Sequence, residues 1–180
     1  LRMQLALAYR IGGLHDKALE EIEVATTLSP KKQTFLLEKG NVLIAAGRID
    51  EARSAFYAAY DLDPSFDSLA VYRAAGDILA GDTVAGKAFL MERLGTTTID
   101  SPILVGVYYE TKQYDELIPL LVLQAQNANR SSESILRLSS GYILTGSFKE
   151  ARTLLMTLIR TNPEVTKEAQ AMLVGLPVVE

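Results

Sequence analysis

The apolar residues of this chain recur at the three-and-four spacing of amphipathic helices, and the helices come in pairs. Leu36, Leu37, Gly40, Leu43 and Ile44 share one helical face, and Gly47 closes that helix because glycine enters the left-handed region at little cost. After the turn Gly47-Arg48-Ile49-Asp50, a second helix sets Ala52, Phe56 and Ala59 on one face. It stops before Asp63-Pro64, since the residue preceding proline is pushed out of the helical region. An earlier pair repeats the scheme with Leu5, Ala6, Tyr9 and Gly13, then Ala18, Ile22, Ala25 and Pro30. The small residues Ala18, Gly40, Ala52, Ala59 and Ala151 fall where helices closing to about 8–10 Å leave no room for a long side chain.

The pairs follow a period. Gly13, Gly47 and Gly81 are 34 residues apart, and Ala18 to Ala52, Leu28 to Leu62 and Pro30 to Pro64 take the same step. After Gly81 the register slips by three residues, with Lys112 next in line. Gly146 then restores the 34-residue step, and Tyr114 to Phe148 and Leu121 to Leu155 agree with it. The slip predicts a kink. At the far end, Asn162-Pro163-Glu164 reads as a helix start, with Asn as cap, Pro in the first turn and an acid near the positive dipole end. That helix is expected to run to Gly175, with Lys167, Glu168 and Gln170 making a polar outer face.

This pattern resembles the tetratricopeptide repeat. The stretches Tyr9 to Pro30, Leu43 to Pro64 and Tyr142 to Pro163 carry the large, Gly, small, large and Pro residues in order. A fourth unit follows through Leu104, Tyr108, Tyr114 and Leu121, with Lys112 in the Gly place and Leu117 in the Ala place. The third unit departs most: Asp77 stands where an aromatic or Leu is usual, Gly86 replaces a small Ala inside a helix, and Arg93 sits at a normally small position. Glycine in a helix costs about 1 kcal/mol relative to Ala, so this unit is expected to be the weak joint. The resemblance implies an all-α, right-handed superhelical solenoid of antiparallel helix pairs. About five repeats (1–32, 33–66, 67–98, 99–131 and 132–163) would be followed by a capping helix at about 163–175 in a single array over 1–180.

Composition narrows the classes. The 180 residues carry 18 Lys and Arg against 22 Asp and Glu, a net charge of −4 without a basic stretch, which argues against a phosphate-backbone binder. No cysteine means no disulfide, zinc ribbon, iron–sulfur ligation or thiol catalysis, and suits cytoplasm or periplasm alike. The run Ala171 to Val179 is the longest without a polar side chain and is far short of the roughly 18 residues a membrane span needs. No signal peptide opens the chain, and Leu1 falls inside a helical pattern, so the chain reads as a piece of a longer polypeptide.

Several groupings imitate chemistry. Gly81-Asp82-Thr83-Val84-Ala85-Gly86-Lys87-Ala88 has the glycine and lysine spacing of a phosphate-cradling loop. Ala88 offers no hydroxyl to magnesium, however, and Tyr72 to Ala80 reads as helix where a strand is required. His15 is the only histidine and has no second His or Cys to share a metal. Glu20, Glu21 and Glu23 alternate with Ile22 and Val24 as a solvated helix face, and Asp61 and Asp63 are turn acids before Pro64. Asn129-Arg130-Ser131 matches a glycosylation sequon, which matters only in a secreted eukaryotic chain. No nucleophile, base and orienter come together, so no enzyme, metal or cofactor is expected.

In tetratricopeptide arrays the first helix of each pair lines a concave face, so the resemblance implies a protein or peptide partner there, a second copy of the chain included. By register the face carries Leu7, Arg10 and Ile11, then Leu37, Asn41 and Ile44, then Ala75 and Ile78, then Tyr109 and Glu110, then Ser140 and Ile143. It is mostly apolar and suits an amphipathic helix or extended apolar peptide. Chaperone-tail-binding members of the family hold carboxylates with a Lys/Asn/Arg clamp. Asn41 matches one position of that clamp, but Leu37 stands where Lys is needed, so it is not implied here. Gly81-Asp82, the run from Phe89 to Thr96, Tyr108-Tyr109 and the run from Lys112 to Pro119 are also similar to the repeat tails of bacterial O-antigen ligase or polymerase-like membrane glycosyltransferases. This second resemblance implies an alternative role: an accessory periplasmic domain whose catalytic part lies elsewhere.

Overall fold

A computed structural model describes residues 1–177 of the chain; Val178 and Val179, which end the apolar run from Ala171, lie outside the described residues. The described residues form α-helices joined by short turns, with one 3₁₀ turn and no strand. They divide into two compact units, Leu1–Thr97 and a second from Thr98 onward. The first unit holds α1 (Arg2–Ile11), α2 (His15–Leu28), α3 (Gln33–Ala45), α4 (Ile49–Leu62), α5 (Asp67–Leu79) and α6 (Thr83–Leu94). The second holds α7 (Pro102–Glu110), α8 (Tyr114–Asn127), α9 (Ser132–Leu144), α10 (Phe148–Thr161), a 3₁₀ turn at Pro163–Val165 and α11 (Thr166–Val174). Within each unit every helix packs against the next, as expected of helical hairpins linked by short loops.

The turns follow the repeat. Gly47 takes φ +73° after α3, and its N–H reaches back to the Ile44 carbonyl. Lys112 occupies the matching place after α7 and is driven to φ 56°, so the left-handed turn is kept at a position where a side chain makes it costly. The seams also follow the pattern. Ala18, Ile22, Ala52, Phe56 and Ala59 are all buried, and a Cβ at Gly40 would collide with the Phe56 ring, so α3 and α4 meet at a glycine because nothing larger fits. The C-terminal end differs from expectation in one respect. Asn162 caps no helix with its side chain; its amide donates to the Ser132 hydroxyl, and Pro163 opens a 3₁₀ turn before α11 begins at Thr166.

The third pair, α5 and α6, closes through its departures from the pattern. Asp77 is buried, and its Oδ1 accepts from the Tyr57 hydroxyl at 2.6 Å and pairs with Arg53 Nη2 at 2.7 Å, both on α4. Gly86 lies where a Cβ would stand 2.8 Å from the Ala74 carbonyl oxygen and 2.8 Å from Ile78 Cγ1. Arg93 Nη2 donates to the Pro64 and Ser65 carbonyls at 3.2 Å each and lies 3.3 Å from Asp67.

Candidate partner-binding surface

The first helices of unit 1 are α1, α3 and α5. Leu7 and Ile11 of α1 are exposed, at 39% and 75%, while Leu37 and Ile44 of α3 are half-buried, with Ile44 leaning on the core. Arg10 and Asn41 converge on Glu38, a residue absent from the sequence expectation. Arg10 Nε donates to Glu38 Oε1 at 2.9 Å, and Asn41 Nδ2 reaches Oε2 at 3.5 Å. The Glu38 side chain is 8% exposed, so this is a polar tie between α1 and α3 beneath the face. An internal carboxylate thus already occupies the two donors that most resemble an acid-binding pair. Ala75 and Ile78 of α5 are wholly buried and do not reach the solvent-facing surface.

Beside this face, α1, the end of α2 and the start of α3 form an open recess of about 580 Å³ lined by Leu1, Met3, Leu7, Ala25, Leu28 and Phe35 together with the polar Arg2, Gln4, Ser29 and Lys32. Lys32 stands over the Phe35 ring at 4.7 Å, placing a cation at its edge. In unit 2, Tyr109 is 53% exposed and Glu110 follows it at the end of α7. On α9, Ser140 is exposed and its hydroxyl donates back to the Leu136 carbonyl at 3.0 Å, while Ile143 is half-buried. The neighbouring Tyr108 is buried without a partner for its hydroxyl, and burial pushes its pKa up to about 12, with the Glu116 charge adding to the shift.

The groupings that imitate chemistry resolve into structure. Gly81 is a turn residue, and Asp82 caps α6 by accepting from the Ala85 N–H at 3.0 Å; Gly86 lies inside α6 against Ala74 and Ile78, far from the open loop a phosphate requires. His15 opens α2 with Nδ1 buried and unpartnered. Of the acids on α2, Glu21 pairs with Arg2 at 2.7 Å and Glu23 with Lys39 at 3.7 Å, so they tie neighbouring helices together.

Helical hairpins that follow one another along the chain define a helical repeat fold. Residues 34–66, spanning α3, α4 and the turn after them, match the tetratricopeptide repeat family model. A tetratricopeptide repeat protein from Parabacteroides merdae has a similar fold at a TM-score of 0.58 and 14% identity. The match covers 88% of this chain and 63% of that one, so the chain spans just under two thirds of that protein's length. The Naa15/Naa10 complex bound to HypK-THB matches at a TM-score of 0.47 and 14% identity, over 89% of this chain and 25% of the other. No curated protein sequence matches the chain at a significant level.

Proposed function

We propose that the chain is a non-catalytic scaffold that holds a peptide segment of a partner protein on its first-helix faces. In unit 1 Leu7, Ile11, Leu37 and Ile44 supply the apolar contacts, and the Arg10–Glu38–Asn41 tie keeps α1 and α3 in register beneath them. In unit 2 Tyr109, Glu110, Ser140 and Ile143 form a second patch. The observation that carries this reading is the exposure of Leu7 and Ile11 beside an open recess of about 580 Å³. That volume is in the range that accepts a side-chain anchor or a small ligand, roughly 300–1,000 Å³. The occupant is an amphipathic stretch, because the wall sets Leu, Met, Ala and Phe beside Arg2, Gln4, Ser29 and Lys32, with Lys32 favouring an acid at its flank.

The test is affinity capture from the native cell with the wild-type chain and with a Leu7→Glu/Ile11→Glu variant, checked by circular dichroism. One protein retained by the wild type and lost by the variant, at unchanged helicity and melting temperature, supports the reading. An unchanged set of captured proteins sinks it.

A further inference from the structure

Arg73, on α5, is held against three aromatic rings. Its Cζ lies 3.8 Å from the Phe89 ring centre, 4.9 Å from Tyr57 and 5.2 Å from Tyr60. The rings are fixed in turn. Tyr60 and Phe89 meet edge to face at 5.5 Å and 88°, and the Tyr57 hydroxyl is tied to Asp77. Aromatic rings attract a guanidinium through its charge and offer its N–H groups no oxygen acceptor. Among the described residues Arg73 has ring contacts and no hydrogen-bond or ion-pair acceptor.

The residue best placed to neutralise it is diverted. Asp77 follows Arg73 by one helical turn, the spacing at which an acid and a base on one helix normally pair. Its carboxylate is instead taken by Arg53 at 2.7 Å and by the Tyr57 hydroxyl at 2.6 Å. Arg93, one turn beyond Phe89 on α6, is spent on the Pro64 and Ser65 carbonyls and on Asp67. A half-buried guanidinium held against three rings is therefore without a counter-ion among the described residues, in a chain whose net charge is −4.

We propose that Arg73, clasped by Tyr57, Tyr60 and Phe89, is a binding site for a carboxylate on an acidic side chain of a partner protein. A guanidinium edge matches a carboxylate in a planar, two-bond fork, and the rings have already removed the rotamer freedom that binding would otherwise cost. A phosphate dianion fits less well: the two nearby arginines are engaged, and the Asp77 carboxylate stands one turn away to repel a second negative charge. Arg73 itself stands on α5, a first helix, and the rings come from α4 and α6; none of the residues assigned to the proposed function takes part, so the inference does not rest on that reading.

The experiment is an NMR titration of the intact protein that follows the arginine Nε–H signals as sodium acetate, inorganic phosphate or sodium chloride is added at matched ionic strength. The expected result is a saturable shift of the Arg73 signal with acetate, at a midpoint about tenfold lower than that of the exposed Arg160, and no such shift with chloride. Phe89→Leu, with its melting curve recorded, should weaken the acetate midpoint several-fold while keeping the charge. Arg73→Lys, read through the Tyr60 and Phe89 ring signals, should remove saturation because lysine has no planar fork. An Arg73 response indistinguishable from that of Arg160 overturns the proposal, as does a lysine variant that binds acetate as well as the wild type. Phosphate binding about tenfold tighter than acetate overturns the carboxylate assignment in favour of a phosphoryl group.

Discussion

The second and third helix pairs of unit 1 close their seams by different means. In α3/α4 the repeat pattern is obeyed: Gly40 lets Phe56 in, Phe56 and Leu43 are buried, and Ala52 and Ala59 line the seam. In α5/α6 three positions break the pattern, and each break is answered by a group on another helix or turn. Asp77 is answered by Arg53 and Tyr57, Gly86 by the Ala74 carbonyl and Ile78, and Arg93 by the Pro64 and Ser65 carbonyls. Agreement with a repeat pattern therefore measures how far a pair resembles its relatives and says little about how well it is packed. The third pair, expected from its own residues to be the weak joint, buries most of α5 from Leu69 to Ile78.

The comparison can be broken most forcefully at Phe56, which serves both pairs because its ring also lies 5.2 Å from Tyr72 of α5. Phe56→Ala is expected to cost about 3–5 kcal/mol in urea unfolding of unit 1, as for a large buried aromatic. A cost below about 1 kcal/mol would mean the seam is not closed as described. Next comes Gly86→Ala, for which helix propensity and packing make opposite forecasts. Helix propensity alone gives a gain of about 1 kcal/mol, whereas a Cβ 2.8 Å from a backbone carbonyl predicts a net loss of about 1–2 kcal/mol. The sign of the change in melting temperature decides between them.

Asp77→Asn should cost roughly 1–2 kcal/mol, since it weakens a charged hydrogen bond from Tyr57 and leaves Arg53 unpaired; the Arg53 side chain is 38% exposed, so water recovers part of that loss. Asp77→Leu, which restores the repeat pattern, should be closer to neutral than Asp77→Asn in the same unfolding assay, because it trades a polar tie for packing. The smallest effect belongs to Ile11→Glu, on the exposed face of α1. Its melting temperature should stay within the shift expected for about 0.5 kcal/mol, and a larger drop would place Ile11 in the core.

Much of this fold is legible in the sequence because its determinants are local. A glycine or its substitute ends each first helix, and small residues mark the seams every 34 positions; even Lys112 is recognisable from register alone. The tie between α1 and α3 is harder to read. Glu38 looks like one more solvated acid beside Lys39, and only its position two residues before Gly40, on the buried side of α3, hints that it needs a cation. Arg10 supplies it from 28 residues away, a distance no periodic pattern encodes. The burial of Ala75 and Ile78 escaped the register for a related reason: α5 is packed on more of its surface than α1 or α3.

The central claim is that the departures in α5/α6 are matched, so that unit 1 unfolds as one body. Native-state hydrogen exchange tests it directly, by comparing the opening free energies of the Val42, Leu43, Ala52 and Phe56 amides with those of Ala74, Ala75, Ile78 and Leu90. The two groups should agree within about 1 kcal/mol and respond together to added denaturant. Exchange of α5 and α6 through a separate opening several kcal/mol below that of α3 and α4 would contradict the account.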